Sequence, residues 1–207
     1  MSHVARQRRP RYAARMGEAA LQGSRAAELR RAVDPELRVE VLAGEVVEKA
    51  APSWEHSDAQ GAVAELLRPR FRSGRGGPGG WWLLFEPDIL FGPDDLCRPD
   101  AAGWRRERVP RPPSSFPISV HPDWVCEILS PSTARRDLGY KRDLYWHAGV
   151  PHYWVVDVER EMLMVFRREA SAYALIVTAG PDERVRAEPF ESFEMPVGLL
   201  FGRDIEV

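Results

Sequence analysis

At 207 residues the chain is long enough to bury one good core and short enough that a single domain is the natural expectation. Its 44% hydrophobic and 29% charged content is that of a water-soluble globular protein, and no apolar run approaches the roughly 20 residues of a membrane span. The net charge of −2 hides an asymmetry: residues 1–36 carry eight Arg against four acids, a net of +4, which leaves −6 for the remainder. No apolar stretch at the N-terminus has the form of a secretory leader, so a cytoplasmic location is expected. Two cysteines, Cys97 and Cys126, make neither a disulfide framework nor a zinc cluster, which predicts free thiols.

In chain order, residues 1–15 form a basic arm with Arg6, Arg8, Arg9, Arg11 and Arg15. Such an arm either touches nucleic-acid phosphate or is a solvated tail. Residues 18–33 should be helical, with Asp34-Pro35 ending the helix, so residues 1–36 read as an arm and helix ahead of a main domain over 37–207. Residues 37–50 read as a hairpin turning at Ala43-Gly44, with Glu45, Val47 and Lys49 on one face. Pro52-Ser53 then caps a helix running to about Phe71, and His56 faces inward from its first turn. No second His lies one turn away, so zinc spacing is absent.

Residues 72–80 hold five glycines and lack the Gly-Lys-Ser/Thr ending of a nucleotide loop, which predicts an irregular connection. Residues 81–91 read as one core strand broken near Pro87, and residues 98–104 as the next. From Trp104 to Pro122 the chain is basic and proline-rich, with Arg105, Arg106, Arg108 and Arg111. This loop either closes over a polyanion or is simply solvated.

Asp123-Trp124-Val125-Cys126-Glu127-Ile128-Leu129 is an apolar run interrupted by one carboxylate. A buried Glu127 needs a cation or hydrogen-bond donors to meet it. Ser130-Pro131-Ser132-Thr133 reads as a helix start, followed at helical spacing by Ala134, Leu138, Lys141, Tyr145 and Ala148. Lys141 intrudes on the face that should press on the sheet, where its stem can lie along apolar surface while the ammonium reaches the strand end. A surface lysine fits the same spacing. Composition bears on the choice: 27 of the 29 basic residues are Arg, and only Lys49 and Lys141 are Lys, which suggests a compact point charge at those positions. Residues 150–158 form another strand, residues 162–166 and 173–177 pair as later strands, Asp157 fixes a turn, and residues 191–207 make a short helix or cap.

Arg98-Pro99-Asp100, Pro122 through Thr133, Arg136-Asp137-Leu138-Gly139-Tyr140-Lys141, Tyr145, and Ala148-Gly149-Val150-Pro151-His152-Tyr153-Trp154-Val155-Val156-Asp157 resemble the Uma-type family of restriction endonucleases. That family lies in the PD-(D/E)XK nuclease superfamily. The resemblance implies a restriction-endonuclease-like α/β core, a mixed β-sheet flanked by helices, preceded here by the N-terminal helix and hairpin. The superfamily's lysine two residues after the second acid is Leu129 here, and the resemblance moves its role to Lys141. Pro-Asp occurs five times, at Asp88, Asp94, Asp100, Asp123 and Asp182. Asp100 is preferred because it heads the strand before that of Glu127, with Asp88 in reserve.

The resemblance implies a Mg²⁺-dependent or Mn²⁺-dependent endonuclease acting on DNA. Asp100, Glu127 and the Ile128 carbonyl would hold the cation, and Lys141 would orient or help deprotonate a cation-activated water. Glu45 matches an acidic position near the family's site, and His56 would support the acids from behind. Arg135 and Arg136, with Arg105 and Arg106, are the candidate phosphate contacts, and cutting both strands from a one-site chain would call for a homodimer. The competing expectation is a catalytically inactive nucleic-acid-binding or assembly module on the same fold, whose binding weakens with salt and ignores metal.

Overall fold

The computed structural model describes residues 17–130 and 134–204. The arm over residues 1–15 and the expected helix start at 131–133 lie outside the described residues. The single N-terminal helix expected is two, α1 (Glu18–Gln22) and α2 (Arg25–Ala32). Ser24 stands between them in extended backbone, and its hydroxyl accepts from the Ala27 N–H, so a capping side chain restarts the helix after Gly23. Val39–Leu42 (β1) and Glu45–Glu48 (β2) make the expected hairpin, with Ala43 and Gly44 at φ 52° and 77°, the left-handed pair that a two-residue turn needs. Ser53 caps α3 (Trp54–Leu67) by accepting from the His56 N–H, and a π-helical turn, Arg68–Arg72, extends it.

The apolar run 81–91 is two strands in different sheets rather than one broken strand. β3 (Trp81–Phe85) stops at Glu86, whose φ of 50° turns the chain ahead of Pro87, and β4 (Ile89–Gly92) starts anew. A short strand with no sequence signal, β5 (Asp95–Cys97), precedes β6 (Ala101–Arg105). Then come β7 (Trp124–Leu129), α4 (Ala134–Arg136), a π-helical turn (Asp137–Lys141), α5 (Arg142–Ala148), β8 (His152–Asp157), β9 (Met162–Arg168) and β10 (Tyr173–Ala179). The C-terminal part adds a small pair, β11 (Arg184–Val185) with β12 (Met195–Pro196), and a 3₁₀ turn over Val197–Phe201. No helix among the described residues is long and apolar enough to cross a membrane.

Six strands form the main sheet in the order β10-β9-β8-β7-β6-β3, and four more form a second sheet, β2-β1-β5-β4. Within the main sheet β7 and β8 are parallel, joined by the helical crossover, and the other pairs are antiparallel. This is the mixed α/β architecture expected. The two-residue period of β7 sends Trp124, Cys126 and Ile128 into the core shared with α3, and Val125 and Leu129 into the core shared with α5. Glu127 falls on that second face, beneath the crossover helix. Because Ala101 pairs with Cys126, Asp100 and Glu127 stand at the same end of the sheet, and the basic loop leaves from the other end.

The N-terminal helices belong to the same body. Leu21, Ala26 and Ala27 pack with Val41, Leu90 and Leu96, and Arg30 Nε lies 2.6 Å from Asp88 Oδ2 with both side chains 1% exposed. Arg98 closes on the same carboxylate from the other side, Nε to Oδ1 at 2.7 Å. Asp88, the reserve candidate, is therefore shared by two guanidiniums and fastens α2 to the small sheet. Asp88→Ala would strand a buried guanidinium and should lower the unfolding free energy by about 3–5 kcal/mol. Urea denaturation measures it, and a loss under about 1 kcal/mol would mean that the pair adds little beyond what solvent gives each partner.

Candidate active site

Five segments bring charged side chains to one cavity of about 610 Å³. β1 supplies Glu40, the residue after β2 supplies Lys49, the head of β6 supplies Asp100, β7 supplies Glu127, and the π turn supplies Asp137 and Lys141. Asp100 Oδ1 accepts from Lys49 Nζ at 2.7 Å, and its Oδ2 accepts from the Ile128 N–H at 2.7 Å. Lys49 Nζ also donates to the Arg98 carbonyl at 2.9 Å. Lys141 Nζ lies 2.8 Å from Glu40 Oε1, 3.1 Å from Glu127 Oε1 and 3.2 Å from Asp137 Oδ1. Tyr145 completes the cluster, its hydroxyl donating to Glu127 Oε1 at 2.5 Å. The π turn matters locally because it holds both Asp137 and Lys141 inward, four residues apart; such turns are rare and recur at functional sites.

The charges do not cancel. Four buried carboxylates (Glu40, Asp100, Glu127, Asp137) face two ammoniums (Lys49, Lys141), an excess of two negative charges when all are ionised. Burial alone would pull both lysines down. The carboxylates outweigh it, Asp137, Glu127 and Glu40 at Lys141 and Asp100 with Glu127 at Lys49, so both ammoniums are held above the ordinary range. Burial likewise works to raise Asp100, and Lys49 with His56 overcomes it and holds the carboxyl well below the usual carboxylate range. Glu40 is also lowered, because Lys141 and Lys49 outweigh its burial. Glu127 goes the other way: burial pushes it up to about 8, with Asp137 and Asp100 adding to the push against Lys141. Glu40 Oε2 and Asp137 Oδ1 are buried without a hydrogen-bond partner among the described residues.

Of the residues singled out from the sequence, Asp100, Glu127, Ile128, Lys141 and His56 all line this cavity. His56 Nε2 lies 3.2 Å from Asp100 Oδ1, off the line of a good hydrogen bond. Glu45 is elsewhere. It shares a hairpin face with Glu40 and Lys49, but it opposes Leu42 at the turn, four residues and about 13 Å of strand from Lys49, and it is exposed. The hairpin acid in the cavity is Glu40. Arg136 Nη1 comes within 3.9 Å of Glu40 Oε2, and Arg135 is exposed. Arg105 and Arg106 sit at the far end of β6, about 17 Å of strand from Asp100, stacked 4.6 Å over Trp81 and 4.0 Å over Trp82. Arg106 also donates to the carbonyls of Trp81 and Arg72. Glu40, Lys49, Asp137 and Tyr145 were missed as site residues. Two of them had a signal: Lys49, since the two lysines of the chain are both here, and Tyr145, which shares the helical stripe of Lys141.

Glu127 couples this cluster to pH. With a pKa near 4.5 in the unfolded chain and about 8 in the folded protein, it keeps a proton between those values that the unfolded chain has released. Its contribution to stability is therefore complete below the unfolded value and is lost as pH rises through about 8. In cation-free protein, the unfolding free energy of the wild type relative to Glu127→Gln should fall steadily from about pH 5 to about pH 8.5. A difference that stays level across that range would show that Glu127 is already ionised near neutrality.

The fold matches the crystal structure of "a putative nuclease belonging to DUF820" from Anabaena variabilis, with a TM-score of 0.67 over 86% of this chain and 97% of that one. At 22% identity the likeness is one of fold. No curated protein matches the chain. The Uma2 family model, described as "Putative restriction endonuclease", matches residues 26–198, a span that runs from within α2 into the last 3₁₀ turn and holds every charged residue of the cavity. The chain therefore belongs to the Uma2 family.

Proposed function

We propose that the protein is a divalent-cation-dependent endonuclease that hydrolyses phosphodiester bonds of DNA in the cavity formed by Asp100, Glu127 and Lys141. The observation that supports this most is the meeting of carboxylates from two neighbouring strands with a lysine from the crossover helix, Lys141 Nζ standing 3.1 Å from Glu127 Oε1. The donor set suits a hard cation. Asp100 and Glu127 offer carboxylate oxygens and Ile128 a carbonyl, the cluster carries surplus negative charge, and Glu40 Oε2 is buried with no hydrogen-bond partner among the described residues. No three His, Cys, Asp or Glu side chains among the described residues make a ready-built cage. Mg²⁺ does not require one, since it takes one or two carboxylates and completes its shell with water and substrate phosphate.

When bound, Mg²⁺ or Mn²⁺ supplies neutralisation of charge on the phosphoryl oxygens and acidifies an attacking water. The chain's own residues do the rest. Lys141, held as an ammonium by three carboxylates, cannot take a proton; it donates, orienting the water and stabilising charge that grows on the phosphoryl group. Tyr145 and Lys141 fix the Glu127 carboxyl, and the Ile128 N–H fixes that of Asp100. Glu40 fills the part that the family resemblance gave to Glu45. Arg135 and Arg136, at the start of the crossover helix, hold substrate phosphate, and cutting both strands of a duplex calls for two copies of the chain.

Labelled plasmid DNA should be nicked or cut by the purified protein with Mg²⁺ or Mn²⁺ and left intact with chelator. Asp100→Asn, Glu127→Gln and Lys141→Met, each checked for folding by circular dichroism, should lower the rate at least about 100-fold. Glu40→Gln should lower it as well, and Glu45→Gln should not. Undiminished cutting by the Glu127→Gln protein would sink this assignment. DNA binding that falls steeply with salt, with no cutting under any cation, would identify a binding module instead.

A further inference from the structure

The two lysines of the cavity are held in different ways. Lys141 answers three carboxylates from three segments and its side chain is 1% exposed. Lys49 answers one, Asp100, and its second contact is the neutral Arg98 carbonyl. Asp100 in turn has little freedom in what it offers. Its Oδ2 accepts from the Ile128 N–H, and its Oδ1 is held by Lys49 Nζ at 2.7 Å with His56 Nε2 3.2 Å away, so a cation reaching either oxygen meets the Lys49 ammonium beside it. A divalent ion on Oδ1 would stand within a few ångströms of that ammonium, two like charges in a poorly solvated cavity.

We propose that Lys49 is a resident counter-ion: its ammonium occupies Asp100 Oδ1 in the cation-free protein and is displaced from it when a divalent cation binds. This rests on reading the cavity as a divalent-cation site. Residue type agrees with the role. An arginine here would grip the carboxylate through a two-pronged fork, whereas a lysine makes a single contact on a flexible stem that can swing away. In a chain with 27 arginines, a lysine at this place is the residue that lets go. Lys49 is a positioning residue in this scheme. It keeps Asp100 ionised and in place before loading, and it lowers the cavity's affinity for the ion that replaces it.

Two measurements on the full chain test this. With only two lysines, protein grown on lysine carrying ¹⁵N at the side-chain nitrogen gives two ammonium signals, assigned with Lys49→Met. Saturating Mg²⁺ should speed exchange of the Lys49 ammonium with water at least about tenfold, as the group leaves its carboxylate for the open cavity. Binding of Mn²⁺, followed by electron paramagnetic resonance, should be about tenfold tighter in Lys49→Met than in wild type at unchanged stoichiometry. Equal or weaker Mn²⁺ affinity in Lys49→Met, or an unmoved Lys49 signal, overturns the displacement and leaves the cation site standing. Absence of Mn²⁺ binding in both proteins overturns the cation site itself. Should Lys49→Met fail to fold, Lys49→Arg, which keeps the charge, assigns the two signals and the wild-type exchange measurement decides.

Discussion

Four carboxylates can be buried side by side only because ammonium groups are buried with them. Lys141 does most of this, touching Glu40 from the small sheet, Glu127 from the main sheet and Asp137 from the crossover helix with one nitrogen. That atom is thus a three-way joint between parts of the fold that otherwise meet through side chains such as Tyr140, whose hydroxyl donates to Asp95 Oδ1 at 2.5 Å. Asp95 in turn accepts from the Ala43 N–H at the hairpin turn, so the helix steadies the hairpin that carries Glu40. Removing either end of such a buried pair leaves an uncompensated charge, at a cost of several kcal/mol.

Stability does not explain why the cluster exists. Well-packed apolar residues in place of a buried ion pair are often neutral or stabilising, and this cluster is worse than a pair because its acids outnumber its ammoniums. Its surplus appears in two places. Glu127 is driven toward the protonated form, and Glu40 Oε2 and Asp137 Oδ1 lie buried without hydrogen-bond partners among the described residues. Both fit the divalent cation proposed for this cavity. The position agrees, since Glu127 lies near the C-terminal end of β7 in the parallel β7–helix–β8 unit, where α/β sheets open toward ligands.

Several of these features were legible in the sequence. The apolar run over 124–129, broken only by Glu127, marked a buried carboxylate in need of a partner, and the apolar stripe of the next helix put Lys141 and Tyr145 on the surface that meets it. Other features turned on contacts that periodicity does not encode. Glu40 and Glu45 share a face of the hairpin, and a period of two cannot choose between them. The choice is made by β5, a three-residue strand that pairs Val41 with Leu96 and draws the Glu40 end inward. Asp137 was hidden by the π turn, which admits an extra residue per turn and brings an acid in beside Leu138. The apolar run 81–91 concealed a change of sheet at Glu86 because both halves are equally apolar. Charge alone marked the loop after Arg105 as basic, and only the antiparallel pairing of β6 with β7 reveals that it leaves the sheet at the end away from the cavity.

The division of labour between arginine and lysine follows from the shapes of the two groups. Where this chain needs a cation to clamp one acceptor or lie flat on a ring, it uses arginine: Arg98 meets both oxygens of Asp88 at 2.7 and 3.0 Å, and Arg105 and Arg106 stack on tryptophans. A planar fork is poorly suited to Lys141's task, because three carboxylates arriving from three segments must share one small charge. A tetrahedral ammonium is compact enough for all three acids to approach it at once, Glu40 at 2.8 Å, Glu127 at 3.1 Å and Asp137 at 3.2 Å, with Glu127 accepting its hydrogen bond. Lysine is therefore required by geometry at residue 141, so its rarity elsewhere in the chain is informative, and it makes the second lysine, 6% exposed against Asp100, a residue to be explained by the chemistry of the cavity rather than by solubility.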